Sequence, residues 1–370
     1  MQECFEICSN DGKARTGILR TAHFDIPTPL FMPVATKGSV KFCDMQRLHD
    51  TGAMAIITNS LLLYLRPGLE NIEKAGGLHK FIGWNKGIFT DSGGFQILDD
   101  YLLIKTTNMG ANFKSPYDGK KHWLTPQLSV EIQSRLGSDV AMVLDDVPKY
   151  SAPRSVVENK LKRTISWAKE FIDAHKQTDS RQIVFCIAQG GVFKDLRKKS
   201  IIELSKLDFN GMALGGLAIG EPIKSMLDTV KFSASLMPKK KPRYLMGVGS
   251  PLDMLEAVSL GIDIFDSTMP TKNGRHGTLF TMKGMIRIDK KEFGTDMRPI
   301  DETCSCFVCK NYSRAYLQHQ IRMEEPTGKL LCTHHNLFFM QRLIREAREA
   351  IDEKKFEKYK ESIKKVFKRN

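Results

Sequence analysis

The sequence predicts an α/β fold, a (β/α)8 TIM barrel with a metal-binding subdomain inserted late in the chain. Three observations predict it. Eight short apolar runs recur along the chain, most are separated by stretches of helical spacing, and several run into an acid, an amide or glycines at their carboxyl ends. A length of 370 residues is long for an ordinary domain and normal for such a barrel. An open doubly wound sheet is the alternative, but no dinucleotide-binding glycine fingerprint supports it.

The expected strands are 30–34, 55–58, 88–90, 140–144, 183–188, 212–214, 244–246 and 262–265. Apolar residues at helical spacing predict helices over 155–174, 194–207 and 223–236. Thr125-Pro126 and Ser250-Pro251 each read as an N-cap followed by proline in the first turn, with Asp253 near the capping-box place. A Tyr-Asp-Gly turn within 111–123 predicts a hairpin after strand three. Residues 238–242 read as a Lys-rich surface loop, and 270–277 as a loop of glycines and cations. Residues 286–345 depart from the β/α pattern. The tail, 346–370, carries an amphipathic helix from Phe356 that should pack on the body.

The strand ends carry the chemistry. Strand three runs into Asp91-Ser92-Gly93-Gly94-Phe95-Gln96, strand four into Asp145-Asp146, and strand five into Gln189 and two glycines. Strand six meets Gly215-Gly216-Leu217, strand seven Met246-Gly247, and strand eight Asp266. Such ends share one mouth of a barrel. Glycines let a flat ligand approach the backbone, and Asp and Gln match the donors and acceptors of a purine edge. No Ser-His-Asp order and no histidine pair on one helix face is present. Carboxylates are left to do the work, as in glycosyl transfer.

A separate signal is Cys304, Cys306 and Cys309, followed by His334-His335. Three thiolates and one imidazole fill a tetrahedral zinc shell, and a filled shell is structural. Either histidine could supply the fourth ligand, and Cys332 competes. The other cysteines are scattered and expected to be reduced. Lys and Arg outnumber Asp and Glu by 56 − 42 = 14, which suits a polyanionic partner such as nucleic acid. No apolar run is long enough for a membrane span, and the N-terminus lacks a signal-peptide core, so a cytoplasmic protein is expected.

The motifs TDSGGFQ, AQGG, GGLAIGE, YLMGVGSP, GIDIFDSTMPT, CxCxxC and THHN occur in order over nearly the whole chain. Together they resemble the bacterial-type tRNA-guanine transglycosylases. The resemblance implies a cytoplasmic zinc-containing TIM-barrel enzyme, a homodimer in bacteria. It would replace guanine at the wobble position of G-U-N anticodons (tRNAs for Asp, Asn, His and Tyr) with a free 7-deazaguanine base, on the way to queuosine. Asp266 would be the nucleophile and Asp91 the general acid/base. Asp91, Ser92, Gly93, Gly94, Phe95, Asp145, Gln189, Gly216, Leu217 and Met246 would line the base pocket. Gly247, Val248, Gly249, Ser250, Pro251, Leu252 and Asp253 would hold tRNA backbone. Thr271, Lys272, Asn273, Gly274 and Arg275 would read the anticodon loop. Cys304, Cys306, Cys309 and His335 would bind one structural Zn2+.

The chain departs from the family pattern at three places. Asn59 is not followed by the usual histidine, Lys272 stands for an arginine, and Asp146-Val147 stands for Glu-Cys. Ile219 stands where preQ1-type enzymes (those taking 7-aminomethyl-7-deazaguanine) carry valine and queuine-type enzymes glycine. Its bulk predicts preQ1 as the base; Val147, which queuine-type enzymes tend to carry, points to queuine, the alternative. Two other readings compete: a non-catalytic RNA-binding subunit, which the intact Asp91 and Asp266 oppose, and an archaeal D-loop enzyme, for whose extra RNA-binding domains the chain has no room.

Overall fold

In the computed structural model, residues 4–93 and 102–367 are described. The eight barrel strands are Leu30–Pro33, Ala55–Asn59, Gly87–Asp91, Val140–Met142, Ile183–Ala188, Gly211–Leu214, Arg243–Leu245 and Ile264–Ser267. All pair in parallel, each beside its sequence neighbours, and strand eight returns to strand one. Strands one and two meet through a Val34–Ile57 bridge, and the Ala35 N–H donates to Ile57 O at 2.7 Å. The ring is therefore nearly closed, with no long open edge.

The strands are buried on both faces, which is why they read as continuous apolar runs rather than alternating ones. Phe89 meets Phe185 and Tyr244 edge-on inside the barrel, with centroids 5.8 and 6.3 Å apart. Helices Pro126–Leu136, Arg154–His175, Lys194–Ser205, Ile223–Leu236 and Pro251–Ser259 lie where the spacing places them. The Thr125 side chain caps the first of these, accepting from the Leu128 N–H at 3.1 Å.

Several expectations need correction. Ser250 precedes its helix with proline in the first turn, but its side chain makes no cap bond. Asp266 lies within strand eight, not after it. Residues 270–277 are not a loop: Met269–Arg275 is a helix. The hairpin, Gly110–Lys114 with Lys121–Leu124, gains a third strand, Leu103–Thr107. The 238–242 loop is not merely surface. The Lys239 and Lys241 carbonyls accept from Arg15, and the half-buried Lys241 ammonium sits 3.8 Å from the Phe209 ring centroid.

An antiparallel sheet, Phe5–Asp11, Ala14–Arg20 and Asp25–Thr28, precedes the barrel. It closes the amino-terminal end of the strands, where Ile26 packs so closely on Gly87 that a Cβ there would lie 2.5 Å from its Cδ1. One helix, Pro326–Asp352, runs from the cysteine-rich region past residue 345, and Phe356–Val366 follows it. Among the described residues no helix is long and apolar enough to cross a membrane.

Candidate functional site

Side chains of a strand alternate faces. Tyr244 pairs with Ile264 and points inward, so Asp266, two residues beyond Ile264, points inward at the carboxyl end. Phe89 and Asp91 obey the same rule on strand three. The two acids lie with Asp145 around one cavity of about 350 Å³. Gly215, Gly216, Leu217, Ile219, Val147 and Met246 also line it, as do Asn59 and Gly247. No lysine, arginine or histidine is among the described lining residues.

Asp266 and Asp145 are held by neutral donors. Asp266 Oδ1 accepts from the Tyr244 hydroxyl at 2.6 Å and from the Gly247 N–H at 2.9 Å. Burial pushes its carboxyl above the ordinary value, and these two bonds offset part of that. Asp145 Oδ2 accepts from Gln189 Nε2 at 2.7 Å. Burial and the neighbouring Asp91 charge push Asp145 up to about 7. Its neighbour Asp146 turns away to Lys160 and Arg163. Gln189 Oε1 is buried without a partner, an acceptor open to a ligand. A Cβ on Gly216 would sit 2.4 Å from that oxygen, so glycine there is what lets Gln189 lie flat on the backbone.

Of the expected base-pocket residues, Asp91, Asp145, Gly216, Leu217 and Met246 line the cavity, and Gln189 reaches it through Asp145. Ser92 is buried but not in the lining, and Gly94 and Phe95 lie outside the described residues. Tyr244 was not singled out from sequence, because it reads simply as the first apolar residue of a strand. The expected tRNA residues divide. Gly247 and Lys272 are exposed, and Ser250, Leu252, Asn273 and Arg275 half-buried. Val248, Gly249, Pro251, Asp253, Thr271 and Gly274 are buried.

Cys304, Cys306, Cys309 and His335 converge, with their ligand atoms all within 4.8 Å of one another. His335 Nδ1 lies 3.9, 3.5 and 3.4 Å from the three sulfurs. Its Nε2 donates to Phe280 O at 2.8 Å, which leaves Nδ1 free to ligate. The neighbouring thiols draw Cys304 well below the ordinary thiol range. This donor set fits a tetrahedral metal site of the zinc type. His334 faces Phe307 instead, and Cys332, whose thiol burial pushes up to about 12, is not among the converging ligands.

The metal helix also sets the mouth. Asn336 Nδ2 donates to Pro270 O at 3.1 Å and Thr278 O at 2.9 Å. Gly274 lies so close that a Cβ would sit 2.7 Å from Thr333 Cα. Thr271 and Gly274 therefore face the metal helix, and Lys272 is left to face solvent. A second group, His23, His79 and Asp139, lies at the opposite end of the barrel. There the two ring centroids lie 3.9 Å apart, the rings tilted by 31°, and each imidazole meets one oxygen of Asp139, at 2.8 and 3.1 Å. Hydrogen bonds account for that arrangement.

The queuine tRNA-ribosyltransferase family model matches residues 9–369. The chain is 46% identical to the queuine tRNA-ribosyltransferase of Fusobacterium nucleatum over 361 residues, 97% of this chain and 96% of that protein. It is 46% identical to that of Caldanaerobacter subterraneus over 96% of this chain and 94% of that protein. For the Aquifex aeolicus enzyme the figures are 44%, 96% and 97%. The chain therefore belongs to the queuine tRNA-ribosyltransferase family, the tRNA-guanine transglycosylases, which are pentosyltransferases.

Proposed function

We propose that this enzyme exchanges the wobble guanine of G-U-N tRNAs for a free 7-deazaguanine base by double displacement. The observation that carries the reading is three carboxylates around one purine-sized cavity with no cation among its described lining residues. A ribose that develops positive charge at C1′ is stabilised there. The target nucleotide leaves the stack to enter. Asp266 attacks C1′ as the C1′–N9 bond breaks, and Asp91 gives its proton to the departing guanine. A covalent ribosyl ester on Asp266 results. The incoming base then gives its N9 proton to Asp91 and attacks C1′, displacing Asp266. Two inversions leave the new base on the original face. Asp145 accepts from the donors of the base, with Gln189 beside it.

Lys272, Asn273 and Arg275 contact the anticodon loop on this reading, and Gly247 to Asp253 the phosphates. The Cys3His cluster takes one structural zinc, which holds the helix bearing Lys272 through Asn336. Metal analysis giving about one zinc per chain supports this, and a metal-free active protein refutes it. A homodimer is expected from the family, and sedimentation tests it.

Labelled guanine should enter a G-U-N tRNA and not a tRNA with adenine at the wobble position. No incorporation into either overturns the assignment. For the incoming base, Ile219 and Val147 both border the cavity. The branched Ile219 side chain occupies volume that the cyclopentenediol of queuine needs, and such overpacking costs about 1–3 kcal/mol. We read preQ1 as the preferred base. Competition between the two bases decides it, and Ile219→Gly should shift preference toward queuine. A wide margin for queuine in the unmodified enzyme sinks the steric reading.

A further inference from the structure

Arg197, on helix Lys194–Ser205, is 0% exposed, and among the described residues no carboxylate forms an ion pair with it. A buried guanidinium without a paired anion is costly, so its hydrogen bonds must do what a counter-ion would. It spends all of them on backbone carbonyls. Nε donates to Gly191 O at 2.7 Å, Nη1 to Ala188 O at 2.7 Å, and Nη2 to Gly215 O at 2.8 Å. The three carbonyls come from the ends of strands five and six, the two segments that carry Gln189 and Gly216. The strand-five turn presses on the same helix: a Cβ on Gly190 would lie 2.8 Å from the Arg197 backbone nitrogen.

The peptide between Gly215 and Gly216 translates this grip into recognition. In a planar trans peptide the C=O and the following N–H point in opposite directions. Gly215 O is drawn to Arg197, which is not among the cavity-lining residues, whereas Gly215 and Gly216 both are. The Gly216 N–H is therefore turned away from Arg197, toward the cavity. No backbone acceptor among the described residues takes it.

We propose that Arg197 is a positioning residue for base recognition, fixing the Gly215–Gly216 peptide so that the Gly216 N–H donates to the 6-oxygen of the bound base. The proposal rests on the reading that the cavity takes a guanine-like base. On that base the oxygen adjoins N1–H. An acid accepting from N1–H and the 2-amino group, as Asp145 does on that reading, needs a donor beside it. Lysine cannot replace the fork, because three carbonyls in three directions match a guanidinium and not an ammonium.

The test compares guanine with 6-thioguanine, which keeps N1–H and the 2-amino group but offers a weaker acceptor. In Arg197→Lys and Arg197→Gln the KM for guanine should rise about tenfold, the scale of one misaligned buried hydrogen bond. The KM for 6-thioguanine should rise far less, so the preference of the native enzyme for guanine collapses. kcat at saturating base, tRNA affinity and metal content should change little. Equal loss for both bases, or an unchanged guanine KM, overturns the proposal. Should both variants fail to fold, hydrogen exchange on the native protein decides. Guanine should slow exchange at the Gly216 amide more than 6-thioguanine does, and equal or absent protection overturns the proposal. Failure of the native enzyme to exchange guanine at all would instead strike the function itself, and is seen before any variant is made.

Discussion

Asp263 and Asp266 stand three residues apart, at opposite ends of barrel strand eight. Asp263 closes the amino-terminal end. Arg15 Nε and Nη2 donate to its two oxygens at 2.8 and 2.7 Å, and the Arg243 N–H adds a third bond at 2.7 Å. Full burial still pushes its carboxyl above the ordinary value, so the cation offsets desolvation without outweighing it. Asp266 opens the other end and, among the described residues, is met by a phenol and an amide. Asp139 and Asp145, which flank strand four, repeat the contrast, the first with two imidazoles and the second with a carboxamide. One end of the barrel thus completes its acids with charged or ionisable partners from the preceding sheet and helices. The other gives Asp266 and Asp145 neutral donors. On the proposed mechanism, stability and chemistry are separated by the length of a strand.

The largest expected effect lies at the mouth. Asp266→Asn keeps the shape and both donors but removes the carboxylate that the proposed mechanism uses as nucleophile. Base exchange should fall by about a thousandfold or more. Melting temperature and tRNA affinity should barely move. Turnover near the native rate, with deamidation excluded, would show that the two aspartates differ in surroundings but not in role.

The mirror experiment is Asp263→Asn. It leaves Arg15 buried without its anion, and breaking a buried pair costs about 3–5 kcal/mol. The carbonyls of Lys239 and Lys241, which Arg15 also meets, place the effect at the lower end of that range. Denaturant unfolding should report the loss, and kcat/KM for guanine below the transition should match the native enzyme. An activity loss without a stability loss would break the comparison.

The sequence makes the barrel legible because parallel strands buried on both faces are continuous apolar runs, and their ends stand out as acids and glycines. The N-terminal sheet was missed for a local reason. Its first strand has a register shift between Ile7 and Ser9, which destroys the period-two signal. The Met269–Arg275 helix was hidden by Pro270 and Gly274, both unfavourable in a helix interior. Pro270 sits in the first turn, where it is tolerated, and Gly274 is required by the close approach of Thr333. His334 and His335 could not be separated by spacing, since adjacent helical residues point about 100° apart and only the helix's docking sets which one meets the sulfurs. Tyr244 and Arg197 make interior hydrogen bonds that leave no periodic trace.

The smallest effect is a pH dependence, and it runs in opposite directions at Asp139 and Asp145. At the closed end, burial alone would raise Asp139, but His79, the Ile88 N–H and His23 together hold it below the ordinary carboxylate value. A depressed native pKa contributes stability above the unfolded value, which is lost as pH falls through the native one. At the mouth, Asp145 is raised to about 7. There the native state holds a proton that the unfolded chain has already released, so between the ordinary carboxylate value and about 7 stability falls as pH rises. The same ionisation has the opposite consequence for function. N1–H and the 2-amino group of guanine need an acceptor, and a protonated Asp145 is a poor one. Below about 7 the KM for guanine should therefore worsen by up to about tenfold per pH unit, with a plateau above it. Asp145→Asn should remove both dependences, flattening the pH profile of KM at a poor value and making the protein relatively more stable at alkaline pH. A KM for guanine that is flat from pH 6 to 8 in the native enzyme would mean that the mouth screens its carboxylates as fully as the closed end does.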